Sequence, residues 1–189
     1  GTKDDPNLYL YVGLDPVNHI DPTGLERGTR YTSLQEAAID LLGAAAGVSG
    51  SDRDRPEVGG DIKMDGVTGE FYWDSLEVGN NDGVDIRVSS RGTLGDKTVA
   101  IAHLHPPKRG GGGTPNDRFS NDRLNTGRLS SVDRDQVRDA NKATGERITT
   151  FIGGPDGSVT EFTPADSYRE GTEIAPPETI RYRPEERMQ

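Results

Sequence analysis

The run Thr98-Val99-Ala100-Ile101-Ala102 leads straight into His103-Leu104-His105-Pro106, and no other stretch restricts the fold as much. Short, apolar and bounded by polar turn residues, it reads as a buried strand over Thr98–His105. Side chains alternate along a strand, so Val99, Ile101, His103 and His105 share one face and Leu104 points the other way. Two imidazoles at i and i+2 on one face can reach the same metal ion. The chain has 3 histidines, and two of them stand here. The pair therefore reads as metal-ligating rather than as packed or surface histidines.

Two further strings surround this strand. Gly110–Gly113 is a low-complexity run that reads as a flexible loop. Beyond it, Leu129-Ser130-Ser131-Val132-Asp133 opens a helix expected to run from Ser130 to about Lys142. Ser130 with an acid three residues on is a capping arrangement in its own right. After His-x-His-Pro it has a second use, because a metal hydrolase needs about three protein ligands, an open position and a proton-handling carboxylate. Asp133 is the natural third ligand, and capping and ligation are compatible.

Composition narrows the chemistry. A net charge of -10 and a pI near 4.8 argue against a nucleic-acid backbone as the main partner, which needs a basic face. With no cysteine, disulfides and all thiolate metal sites are excluded, the zinc deaminase pattern among them. No apolar run is long enough to span a membrane. With 189 residues, 30% of them hydrophobic, and 25 glycines, the chain should form one domain with a small core and long loops.

Read in order, Leu8–Val12 is a short strand followed by two Asp-Pro turn starts, Asp15-Pro16 and Asp21-Pro22. Ser33-Leu34-Gln35-Glu36 is a capping box, and Leu34, Ala37, Ala38, Leu41, Leu42 and Ala45 form one apolar stripe that stops at Gly47 to Gly50. From Glu57 the period changes to strands, expected at Gly60–Met64, Glu70–Trp73, Val84–Val88, Thr98–His105, Ile148–Ile152 and Ser158–Phe162. Asp65-Gly66, Asn81-Asp82-Gly83 and Pro155-Asp156-Gly157 are the turns between them. Phe71, Tyr72 and Trp73 fit core packing better than a binding patch. Residues 165–189, rich in Pro, Glu and Arg, read as a tail.

Residues 7–25, closing on Asp21-Pro22-Thr23-Gly24-Leu25, closely resemble the end of the core of RHS-repeat proteins. In that family the core forms a cocoon around a variable C-terminal toxin and cuts itself after the final Leu. The resemblance implies an autocleavage motif of Asp21, Pro22, Gly24 and Leu25, with the cut between Leu25 and Glu26. It also implies a secreted effector acting inside a target cell, in its cytoplasm, with a cognate immunity protein and the parent cocoon as partners.

The string Glu … His-x-His-Pro … Ser-x-x-Asp resembles the JAMM motif of JAB/MPN metallopeptidases, and residues 33–163 are similar to JAB-like domains at the C-termini of RHS toxins. The resemblance implies an α+β fold, sandwich-like, with a mixed sheet of about six strands flanked by two main helices over residues 26–164. It implies zinc held by His103, His105 and Asp133, with Glu57 as general base and Ser130 as oxyanion donor. Glu70 and Glu77 also lie near strands and compete with Glu57. Ser120 competes with Ser130, but Arg123 stands where its Asp is needed. The segment from His105 to Ser130 is longer than the usual spacing, which fits either a lid or a tolerated surface excursion.

The function expected is a zinc-dependent peptidase or isopeptidase toxin hydrolysing an amide bond in a target-cell protein. A metal-dependent hydrolase of another bond, such as a nuclease or deamidase, and a non-catalytic MPN-like binding module stay open beside it.

Overall fold

A computed structural model describes residues 28–49, 56–79, 84, 86, 95–105, 131–165, 167–168 and 171–182. Helix α1 (Leu34–Ser49) starts as its capping box implies. The Glu36 N–H donates to Ser33 Oγ at 3.3 Å and the Ala37 N–H to the Ser33 carbonyl at 3.2 Å. Its stripe of Ala37, Ala38, Leu41, Leu42, Ala45 and Ala46 is fully buried. The helix continues through Gly47 and stops at Ser49, because burial of Ala45 and Ala46 outweighs the modest cost of one helical glycine.

The strands are β1 (Val58–Met64), β2 (Phe71–Tyr72), β3 (Glu77–Val78), β4 (Lys97–Leu104), β5 (Thr149–Gly153), β6 (Val159–Phe162) and β7 (Thr172–Ala175), with helix α2 (Ser131–Thr144) between β4 and β5. They make one mixed sheet in the order β2-β1-β4-β5-β6-β7, and β3 also pairs with β1. β4 and β5 run parallel, and the remaining pairs are antiparallel. A parallel neighbour requires a crossover, which α2 provides. The fold is the α+β arrangement expected from the sequence, with a mixed sheet flanked by two main helices.

Alternation along the central strands divides the core in two. Val58, Ile62, Ala100, Ala102, Leu104 and Phe151 pack with α1. Ile101, Ile152 and Phe162 pack with Val137 and Ala140 of α2 and with Val84 and Ile86. His103 stands on the same face as Ile101, so the site lies on the α2 side of the sheet. Helix α2 ends at Gly145, whose φ of +74° and N–H to the Asn141 carbonyl at 2.9 Å form a left-handed cap.

Two strands lie outside the sequence expectation. β3 is two residues long, and β7 comes from the segment read as a tail. Thr172 and Glu173 of β7 are exposed, while Ala175 and then Ile180 are buried, so an edge strand with half a face leaves almost no periodic signal. Of the strand expected at Val84–Val88, only Val84 and Ile86 fall within the described residues. The first 27 residues, with the autocleavage motif, lie outside them.

The aromatic stretch is a core element. Trp73 is buried and its Nε1 donates to Asp40 Oδ2 at 2.6 Å. Tyr72 Oη donates to Asp96 Oδ2 at 2.5 Å, with the Arg30 guanidinium 3.8 Å from the centre of its ring. Burial, assisted by the Asp96 hydrogen bond, pushes the Tyr72 hydroxyl up to about 12, and burial next to Asp40 raises Tyr31 as well. An unfolded tyrosine titrates near ~10. The stabilisation from keeping these hydroxyls neutral is thus complete below that value and is lost as pH rises through about 12. The denaturation midpoint should fall across that alkaline window, and Tyr31→Phe/Tyr72→Phe should flatten the fall. An unchanged slope in the double variant would show that these two groups do not set alkaline stability.

Candidate metal centre

The sheet register builds most of the site. Gly59 of β1 pairs with His103 of β4 in an antiparallel ladder. Continuing that ladder by two residues sets Glu57 opposite His105, and alternation turns Glu57 and both histidines to the α2 face. The His105 N–H donates to the Gly153 carbonyl at 2.8 Å, tying this end of β4 to the end of β5. Asp133 arrives from the first turn of α2 on the same face.

The side chains converge in the interior. His103 Nε2 lies 2.9 Å from His105 Nε2 and 3.2 Å from Asp133 Oδ1, and His105 Nε2 lies 3.5 Å from that same oxygen. Glu57 offers a carboxylate oxygen that, with one nitrogen of each histidine, forms a set whose members all lie within 4.8 Å of one another. Exposure is 1% for His103, 4% for His105, 4% for Asp133 and 6% for Glu57.

This donor set fits a small divalent cation. Tetrahedral zinc with bonds of about 2.0–2.1 Å has donor-to-donor edges of roughly 3.3 Å. The three observed edges, 2.9, 3.2 and 3.5 Å, straddle that value. Two imidazole nitrogens at contact distance beside a carboxylate also need a hydrogen or a metal ion between them, because bare lone pairs repel. Burial acts to raise the Asp133 pKa, but hydrogen bonds from both histidines and their charge outweigh it and hold the carboxyl well below the usual range. Asp133 is therefore an anionic donor. Among the described residues His103 Nδ1 has no hydrogen-bond partner, whereas the second nitrogen of a metal-ligating histidine is usually held by an acceptor.

Of the residues singled out in the sequence, Glu57, His103, His105 and Asp133 come together. Glu70 sits past the far end of β1, where its carbonyl accepts the Asp65 N–H in the β1–β2 turn. Glu77 lies in β3, across Gly59 on the side of β1 away from β4. Neither belongs to the cluster. Ser130 and its rival Ser120 lie outside the described residues.

Gly59 is a site residue that sequence reasoning passed over. A Cβ there would come within 2.5 Å of the Ala102 carbonyl oxygen, 2.6 Å of His103 Cβ and 2.9 Å of Ile86 Cδ1. Its signal was available, since a glycine pair inside a strand often marks a close backbone approach. Gly59→Ala should destabilise the chain by about 1–3 kcal/mol, the usual cost of overpacking, and should disturb His103 with it. Chemical denaturation measures this, and a neutral Gly59→Ala would refute the tight approach.

No protein-family model matches the chain, and no curated protein matches it. No described helix is long and apolar enough to cross a membrane.

Proposed function

We propose that the chain is the toxin portion of an RHS effector and acts as a zinc-dependent peptidase or isopeptidase on a protein of the target cell. The observation that carries the reading is the buried convergence of His103, His105 and Asp133 with Glu57 beside them. These are the residues at which the sequence resembles the JAMM motif. The resemblance of residues 7–25 to the end of an RHS core supports delivery as a C-terminal toxin, with the cocoon and an immunity protein as partners.

In this reading His103 Nε2, His105 Nε2 and Asp133 Oδ1 would hold the metal. Zinc, when bound, contributes Lewis acidity, bringing water toward a pKa of ~7 and polarising an amide carbonyl. Glu57 takes the proton of the attacking water on its carboxylate and returns it to the departing amine nitrogen. Ser130 Oγ donates a hydrogen bond to the carbonyl oxygen as negative charge develops there. The low exposure of all four described residues keeps bulk water from screening these interactions.

Metal analysis of the purified chain, combined with proteomics of intoxicated cells, tests the proposal. The expected result is about one zinc per chain and new protein termini or lost isopeptide links that are absent with Glu57→Gln. A chain without metal, or identical proteomes for the two, would overturn it. Processing has its own test. The released fragment should begin at Glu26 and the Asp21→Asn effector should stay uncut, and a fragment with any other first residue refutes the assigned motif.

A further inference from the structure

Glu57 precedes the first residue of β1, so strand pairing alone does not hold it. A general base works only when its oxygen is placed within a fraction of an ångström, and a side chain inherits its direction from the two peptide planes that meet at its Cα. At Glu57 each plane has an anchor. On the following side, the Glu57 carbonyl accepts the Gly79 N–H at 2.8 Å, just past β3. On the preceding side, the Pro56 carbonyl accepts Ser49 Oγ at 2.9 Å. Ser49 is the last residue of α1, it is 3% exposed, and α1 is packed along β1 and β4 by its whole apolar stripe. The hydroxyl thus ties a rigid helix to the peptide plane that sets φ of Glu57. Proline at position 56 narrows the remaining freedom by fixing its own φ near -65°.

We propose that Ser49 is a positioning residue, which aims the Glu57 carboxylate at the water in the metal centre by holding the Pro56 carbonyl. The proposal rests on the metallohydrolase reading above and adds a residue on the opposite face of the sheet from the ligands. A purely structural Ser49 would affect stability alone. A positioning Ser49 also changes what a metal ion at His103, His105 and Asp133 experiences, although it contacts none of them.

Cobalt(II) is the probe, because its visible bands report the geometry and hydrogen bonding of whatever fills the open coordination position. The full chain is loaded with cobalt at one fixed pH, as wild type, Glu57→Gln, Ser49→Ala, Ser49→Cys and Ser49→Thr. The expected result is equal cobalt content throughout and a band shift in Glu57→Gln. Ser49→Ala should shift part of the way in the same direction, and Ser49→Thr, which keeps the hydroxyl, should restore the wild-type spectrum. Ser49→Cys preserves the size of the side chain while weakening the donor, so it gives the same reading if Ser49→Ala does not fold. Wild-type bands in Ser49→Ala or Ser49→Cys, alongside a shifted Glu57→Gln, overturn the positioning role and leave the metal centre intact. If Glu57→Gln itself leaves the bands unmoved, or no variant binds cobalt, the metallohydrolase reading fails and this role fails with it.

Discussion

Glu57→Gln is expected to keep its zinc and lose roughly 10²–10⁴-fold in hydrolytic rate, the usual worth of general-base assistance. Glutamine preserves the size of the side chain and its capacity to hydrogen-bond, but it has no basic oxygen to take a proton. In the proposed reading the ligands are the atoms of His103, His105 and Asp133 that lie 2.9, 3.2 and 3.5 Å apart, so the metal should remain. Asp133→Asn should behave differently. It removes an anionic donor and lowers zinc affinity together with rate. Because Glu57 also lies within reach of both histidines, the reverse pattern has a clear meaning. If Glu57→Gln loses zinc and Asp133→Asn retains it, Glu57 is the ligand and Asp133 the nearby acid. Zinc content and toxicity measured on the same preparations separate these outcomes.

The sequence made the histidine pair legible because its geometry is local. His103 and His105 share a face by strand alternation alone, and Asp133 is placed by a helix start that announces itself with a capping pattern. Glu57 is a different case. Nothing within its neighbourhood distinguishes it from Glu70 or Glu77, and only the resemblance singled it out. What separates the three in the structure is register. Gly59 pairs with His103, which brings Glu57 opposite His105 while leaving Glu70 beyond the other end of β1 and Glu77 across the wrong edge. Register is a property of two strands some forty residues apart, so it has no signature in either one.

The face of β1 toward α2 carries Gly59, Asp61 and Lys63, and not the apolar residues that pattern reading looks for. Their burial is tolerated because each polar group has a partner. Thr98 Oγ1 donates to Asp61 Oδ2 at 2.7 Å, and Lys63 Nζ donates to both carboxylate oxygens of Asp74 at 2.8 Å. β7 escaped notice because Ala175 alone of its four residues is buried, and its sequence is dominated by charged and turn-forming neighbours. Ser49 falls between Gly47 and Gly50, where the sequence pattern ends the helix. Its hydroxyl acquires a role only through a carbonyl seven residues on, which the intervening loop returns to it.

The largest effect on metal binding should come from His103→Ala/His105→Ala, which is expected to take zinc from about one per chain to none. In a cysteine-free chain neutral imidazole is the strongest ligand type available, and the carboxylates of Asp133 and Glu57 alone do not hold the ion against water. Stability should change as well. Asp133 is 4% exposed, and removing the histidines takes away two of the groups that pair with its carboxylate, a loss of the kind that costs ~3–5 kcal/mol when buried pairs are broken. Adding Asp133→Asn to the double variant should recover part of that loss, since the buried charge is gone. Zinc itself then discriminates between a structural and a ligand role for the histidines. At a free concentration 100 times its dissociation constant, an ion bound only by the folded chain stabilises it by about 2.7 kcal/mol. Wild type should show that rise in denaturation midpoint on adding zinc, and the double variant should show none. A double variant that still gains stability from zinc would move the metal away from His103 and His105 and remove the support on which the proposed hydrolase stands.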